Sequence, residues 1–159
     1  MSASLRLDPG LHRRLVDSLY VEAMVMADEA RSYFDSPEGD DGNMADPLRR
    51  IAFTCESLKV TTRLMHVIAW LLVQRACQRG EIAADVLRDE KYRLGQAQLS
   101  DTALTETFPF AARSLIEASQ ELYGRVARLQ DRLLRSGDGH SVGAPSPARA
   151  LMDRLQTAF

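Results

Sequence analysis

Apolar residues recur at intervals of three and four along three long stretches of the chain, the spacing that puts them on one face of an α-helix. The first stretch follows Asp8-Pro9, an N-cap acid with proline at the first helical position. Leu15, Leu19, Ala23, Met26, Ala30 and Phe34 then predict a helix over about 9–35. Asp35 to Asn43 (DSPEGDDGN) interrupts the pattern as an acidic, solvated loop. Asp46-Pro47 repeats the start signal. Behind it Leu48, Ile51, Cys55, Leu58, Thr62, Met65, Ala69, Leu72 and Ala76 alternate three and four without a slip, up to Gly80. This second helix, about 47–79, carries a further stripe of Val60, Leu64, Val67 and Leu71 with Ile68 and Trp70 beside it. From Leu64 to Val73 only His66 is polar.

Residues 81–99 read as a short helix over about 82–92 and a polar connection. A last long helix, about 109–135, carries Ala111, Leu115, Ala118, Leu122, Val126, Leu129 and Leu133. Period-two alternation of useful length is absent, and so is any repeat. The pattern predicts an all-α fold: three long helices with short connections in an antiparallel three-helix bundle, with a short extra helix. The bundle domain covers 1–136. Residues 137–159 form a flexible linker, rich in Gly, Ser and Pro over Ser136–Pro147, and a short amphipathic tail built on Leu151, Leu155 and Phe159.

The two stripes of the second helix require two packing surfaces. The regular heptad-like seam is expected to pack on the first and third helices. The other stripe then needs a cover, because a contiguous exposed apolar patch is an interface or a liability. A two-fold dimer covers it economically, so Leu64, Val67, Trp70 and Leu71 are expected at or next to a dimer interface; a longer first or third helix wrapping the stripe inside one monomer is the alternative.

Composition excludes several function classes. A charged content of 26% and a hydrophobic content of 45% are those of an ordinary globular domain, and a net charge of −2 points to no polyanionic partner. Leu64–Val73 is far shorter than the roughly twenty apolar residues that span a bilayer, so no membrane association is expected. The N-terminal stretch has no secretory apolar core, and the protein is expected in the cytoplasm. Cys55 and Cys77 lie 22 residues apart on one helix. At about 1.5 Å per residue they are roughly 33 Å apart, beyond disulfide reach, and read as small buried side chains.

Candidate chemistry is sparse. His12, His66 and His140 lack ligating partners at metal-site spacing, and His66 reads as a buried or interfacial histidine. In the twelve-residue acidic loop, Pro37 and Asp40 stand where a calcium loop needs an oxygen ligand and a glycine. No phosphate-binding loop or nucleophile motif occurs. No catalytic residue, metal or cofactor is expected, and the chain is read as a non-enzyme. Arg125, Arg128, Arg132 and Arg135 form a basic stripe, but Glu121 and Asp131 lie four residues before Arg125 and Arg135. Nucleic acid is therefore not the expected partner. A helical structural or DNA- and transcription-linked protein using Arg125–Arg135 is the alternative reading.

Leu58 to Ile82 (LKVTTRLMHVIAWLLVQRACQRGEI) resembles the signature stretch of the alphaproteobacterial regulator of CtrA degradation, the RcdA family. The resemblance continues through Glu90–Leu94 and Leu115–Leu129 and covers most of the chain from about residue 12. It implies a three-helix-bundle homodimer with a flexible C-terminal tail. It also implies a non-enzymatic adaptor that helps ClpXP select substrates, including the cell-cycle regulator CtrA, often near a cell pole. Leu151, Leu155 and Phe159 read either as a helix folding back on the bundle or as a tethered docking peptide, and with the resemblance they are expected to engage a partner of the ClpX type or its substrates.

Overall fold

The computed structural model describes residues 8–36, 46–138 and 154–156. Three long helices carry the fold: α1 (Pro9–Phe34), α2 (Pro47–Gln78) and α4 (Phe110–Asp138), with a single-turn α3 (Thr102–Thr105) before the last. No strand occurs among the described residues.

The caps form as the sequence predicts. Asp8 accepts from the Gly10 amide and Asp46 from the Leu48 amide, each satisfying a donor the first turn leaves unpaired. At the end of α2 the Glu81 amide donates to the Ala76 carbonyl and the Gly80 amide to that of Cys77. This paired pattern needs a left-handed residue, and Gly80 supplies it at φ 77°. Residues 82–92 form two single 3-10 turns, Val86–Arg88 and Glu90–Tyr92, in place of the expected short helix. Asp85 and Asp89 each hold a following backbone amide, to Val86 and Lys91. These local bonds compete with helix propagation.

α1 runs antiparallel to both other helices. Asp17 pairs with Arg75, and at the other end the Phe34 and Phe53 rings meet at 5.4 Å. Toward α4, Glu22 pairs with Arg125. α2 and α4, however, run parallel: Phe53 meets Phe108 near the start of α4, and Arg63 reaches Ser119 further along. Short connections impose strict alternation along the chain, but residues 79–109 return along the whole bundle before α4 begins. This strap lies against α2 in reverse order, with Gly95 at His66, Gln98 at Arg63 and Thr107 at Arg49. A Cβ at position 95 would stand 2.6 Å from His66 Nδ1, so the close crossing requires glycine.

The core is one cluster drawn from all three helices and the strap. Val16, Leu19 and Ala23 come from α1, Ile116, Leu122, Val126 and Leu129 from α4, and Leu94 and Phe108 from the strap. From α2 come Phe53, Val60, Leu64, Val67, Trp70 and Leu71. The assignment of the two α2 stripes is thereby reversed. Leu64, Val67, Trp70 and Leu71, expected at a dimer interface, are at most 4% exposed within a single chain. The uninterrupted seam lies outside. The inner stripe carries the larger groups, including Phe53 and Trp70, and buries more apolar area than a seam diluted by Cys, Thr and Ala. Substituting Trp70 with Glu would break the core rather than separate a pair of protomers.

Candidate protein-interaction surface

The outer face of α2 carries Leu48, Ile51, Leu58, Met65 and Leu72, all exposed, with Leu58 at 60% and Met65 at 64%. Cys55, Thr62 and Ala69 fill the intervening turns. Cys55 is thus exposed rather than buried, and Cys77 is half-buried; both are free thiols. From Ile51 to Leu72 every exposed residue of α2 is uncharged. Two of its hydroxyls fold back on the helix: Thr54 Oγ1 donates to the Arg50 carbonyl and Thr61 Oγ1 to that of Ser57. Backbone bonds of this kind leave little polarity on the face. A solvated helix face ordinarily carries charge, so an uncharged apolar face is a candidate interaction surface.

A buried polar cluster fixes which way this face points. Arg63, 1% exposed, donates through Nε and Nη2 to the Gln98 carbonyl at 3.2 and 2.8 Å. Nη2 also reaches Ser100 Oγ at 2.6 Å, and Nη1 reaches Ser119 Oγ at 3.2 Å. Ser100 in turn donates to Glu56, which is 1% exposed and pairs with Lys59 at 2.9 Å. Burial lowers the Arg63 pKa, and the Glu56 carboxylate opposes that shift. Guanidinium remains charged in proteins, so this is a buried cation satisfied by neutral acceptors with an anion nearby. The cluster joins α2, the strap and α4. Rotating α2 about its axis would strip it of partners, so α2 is locked with its apolar seam outward.

One signal in the sequence pointed to the cluster without identifying it. Glu56 and Arg63 lie seven residues apart, in register with Val60 and Val67. Charges in register with the most apolar stripe are more informative as buried anchors than as breaks. The strap's acceptors, Gln98 and Ser100, have no recognisable pattern, because their role follows from where the backbone passes.

The remaining predicted residues are scattered. Leu155 is 53% exposed within a helical turn at 154–156; Leu151 and Phe159 lie outside the described residues, as do His140 and most of the acidic loop. In the basic stripe, Arg125 is held by Glu22 of α1, whose hydrogen bond raises its pKa. Arg128, Arg132 and Arg135 are exposed. His66 is half-buried beneath the strap, and its Nδ1 has no partner. Among the described residues no three His, Cys, Asp or Glu side chains gather as a metal site. Nor is any helix long and apolar enough to cross a membrane.

Comparison with known proteins identifies relatives of the whole chain. The family model described as "Protein of unknown function (DUF1465)" matches residues 7–159. The crystal structure of RcdA from Caulobacter crescentus CB15 superposes with a TM-score of 0.60 at 30% identity, covering 83% of this chain and 96% of that one. No curated protein matches. With the family model matching residues 7–159 and the structural match covering most of both chains, this protein belongs to the DUF1465 family and is a relative of RcdA.

Proposed function

We propose that the protein is a non-enzymatic adaptor that binds other proteins and promotes their proteolysis by ClpXP, with cell-cycle regulators such as CtrA as cargo. The observation that carries this reading is the uncharged, apolar outer face of α2. Relatedness to RcdA supports it and directs it toward regulated proteolysis.

The face suits a second copy of the chain. A two-fold dimer opposes a surface to itself, so a surface charged with one sign meets like charge. Between Ile51 and Leu72 that penalty is absent. The 3-4 spacing also provides the knobs and holes by which two helices pack. The interface of the proposed homodimer is therefore Ile51, Leu58, Met65 and Leu72, not Leu64, Val67, Trp70 and Leu71.

The C-terminal segment with Leu151, Leu155 and Phe159 is the proposed partner-binding tail. Leu155 is exposed, as this role requires. A tethered peptide raises the local concentration of a weak binding element without further contacts. The adaptor is expected to act in the cytoplasm, where ClpXP works, including the cell pole.

A pull-down from native cell extract tests the reading, comparing the full chain with Leu151→Glu/Leu155→Glu/Phe159→Glu. Recovery of ClpX or its substrates, reduced severalfold by the tail variant, is expected. Recovery of neither by the full chain would overturn the adaptor reading.

A further inference from the structure

At the end of the bundle where α2 and α4 finish, the side chains do not fill the interior. A cavity of about 320 Å³ opens there, between the first turn of α1, the last turns of α2 and α4, and the beginning of the strap. Its walls are largely apolar, with Trp70, Leu87 and Leu133 among them. Three glutamines line it as well: Gln74 and Gln78 from α2 and Gln130 from α4.

These amides are the unusual feature. Gln74 is only 6% exposed, and its side-chain amide makes no hydrogen bond to the described residues. Gln78 Nε2 is fully buried and has no partner. Gln130 uses its Oε1 to hold the strap through the Leu94 amide at 2.7 Å, which leaves its two N–H donors to spare. Buried polar groups in folded proteins are paired with few exceptions, and an exception calls for a cause. An apolar cavity of this size with a few convergent polar groups has the form of a small-molecule site. The neighbouring polar cluster sharpens the contrast: Arg63 is held by protein acceptors, whereas Gln78 Nε2 at the cavity is buried with no partner.

We propose that this cavity binds a small amphiphile, an aliphatic or aryl body ending in a carbonyl or carboxylate oxygen. The body lies against Trp70, Leu87 and Leu133. The oxygen accepts from the amide nitrogens of Gln74 and Gln130. Aliphatic carboxylates and aliphatic amides share this chemistry, and a charged head is distinguished from a neutral one by experiment. The site is separate from the outer face of α2, since Trp70 and Gln74 belong to the opposite face of that helix.

Trp70 is the single tryptophan of the chain, so its fluorescence reports occupancy directly. The full-length protein is titrated with submicellar decanoate and, separately, with decanamide. A saturable change in Trp70 emission is expected with at least one of them. Gln74→Met keeps the side-chain volume and removes the amide; it is expected to weaken binding tenfold or more while far-UV circular dichroism is unchanged. Ala84→Trp fills the cavity from the exposed strap and is expected to abolish binding, read by calorimetry because it adds a fluorophore. Decanoate binding without decanamide binding assigns a carboxylate head, and the reverse a neutral one. Absence of saturable binding by either probe, or equal affinity in Gln74→Met, overturns the proposal. So does binding that appears only in Leu151→Glu/Leu155→Glu/Phe159→Glu, because the chain's own tail would then be the occupant.

Discussion

The two faces of α2 differ in a way that inverts the usual inference from pattern to core. The outer face has the cleaner signal, a 3-4 seam with no charge from Ile51 to Leu72. The inner face holds Phe53, Val60, Val67 and Leu71, but also Glu56, Arg63 and Gln74, all buried. The folded chain buries the mixed face and exposes the clean one. A monomer core must accommodate a long returning strap, whose backbone carbonyls need donors, and Arg63 supplies the donors to Gln98. The outer face has no such demand, so its pattern stays regular. On the reading proposed above, the more regular stripe is the one kept for a second copy of the chain.

The largest effect expected from this contrast is at Arg63. Arg63→Met leaves Glu56 buried beside acceptors that have lost their cation. Removing one member of a buried ionic cluster costs about 3–5 kcal/mol. Urea unfolding should show a loss of this size, and Glu56→Gln in the same chain should recover some of it.

Adjacent residues provide a second test. Leu71 is fully buried and Leu72 is 46% exposed. Leu71→Ala should cost about 2–5 kcal/mol through lost burial and the cavity left behind. Leu72→Ala should change the stability of the single chain by no more than about 0.5 kcal/mol. Equal effects in urea unfolding at a protein concentration too low for association would mean that the faces are assigned wrongly.

These contrasts show what the sequence made legible. Helix starts at Asp8-Pro9 and Asp46-Pro47 and the stop at Gly80 were readable because a cap is a local matter of one side chain and the next turn. The all-α class and the α1 seam through Leu19, Ala23 and Ala30 were readable because these positions recur at helical spacing, even though Val21, Met24 and Val25 stand exposed on the same helix. The orientation of α2 was not, because periodicity yields the stripes but not which of two is inside. The parallel course of α4 was hidden in residues 79–109, whose path is set by tertiary bonds from Arg63, Tyr123 and Gln130 to strap backbone atoms. The cavity had no sequence signal at all, since Gln74, Gln78 and Gln130 converge only in three dimensions.

A smaller effect is expected at His12, beside the cavity. Burial lowers its pKa below the ordinary 6.5. Between the depressed folded value and 6.5 the unfolded chain binds more protons, so stability rises with pH there and falls as pH drops below about 6.5. His12→Gln should remove that share of the acid sensitivity. Identical pH profiles of the unfolding midpoint in both proteins would contradict the burial of this imidazole.

The central claim, that the outer face of α2 is an interface, is tested most directly by sedimentation equilibrium of the full chain beside Leu58→Glu/Met65→Glu. Both substitutions lie on exposed positions, so circular dichroism should report an unchanged fold. The account predicts a dimer for the native chain and a monomer for the variant over the same concentration range. A native chain that stays monomeric throughout, or a variant that dimerises as well as the native chain, would contradict it.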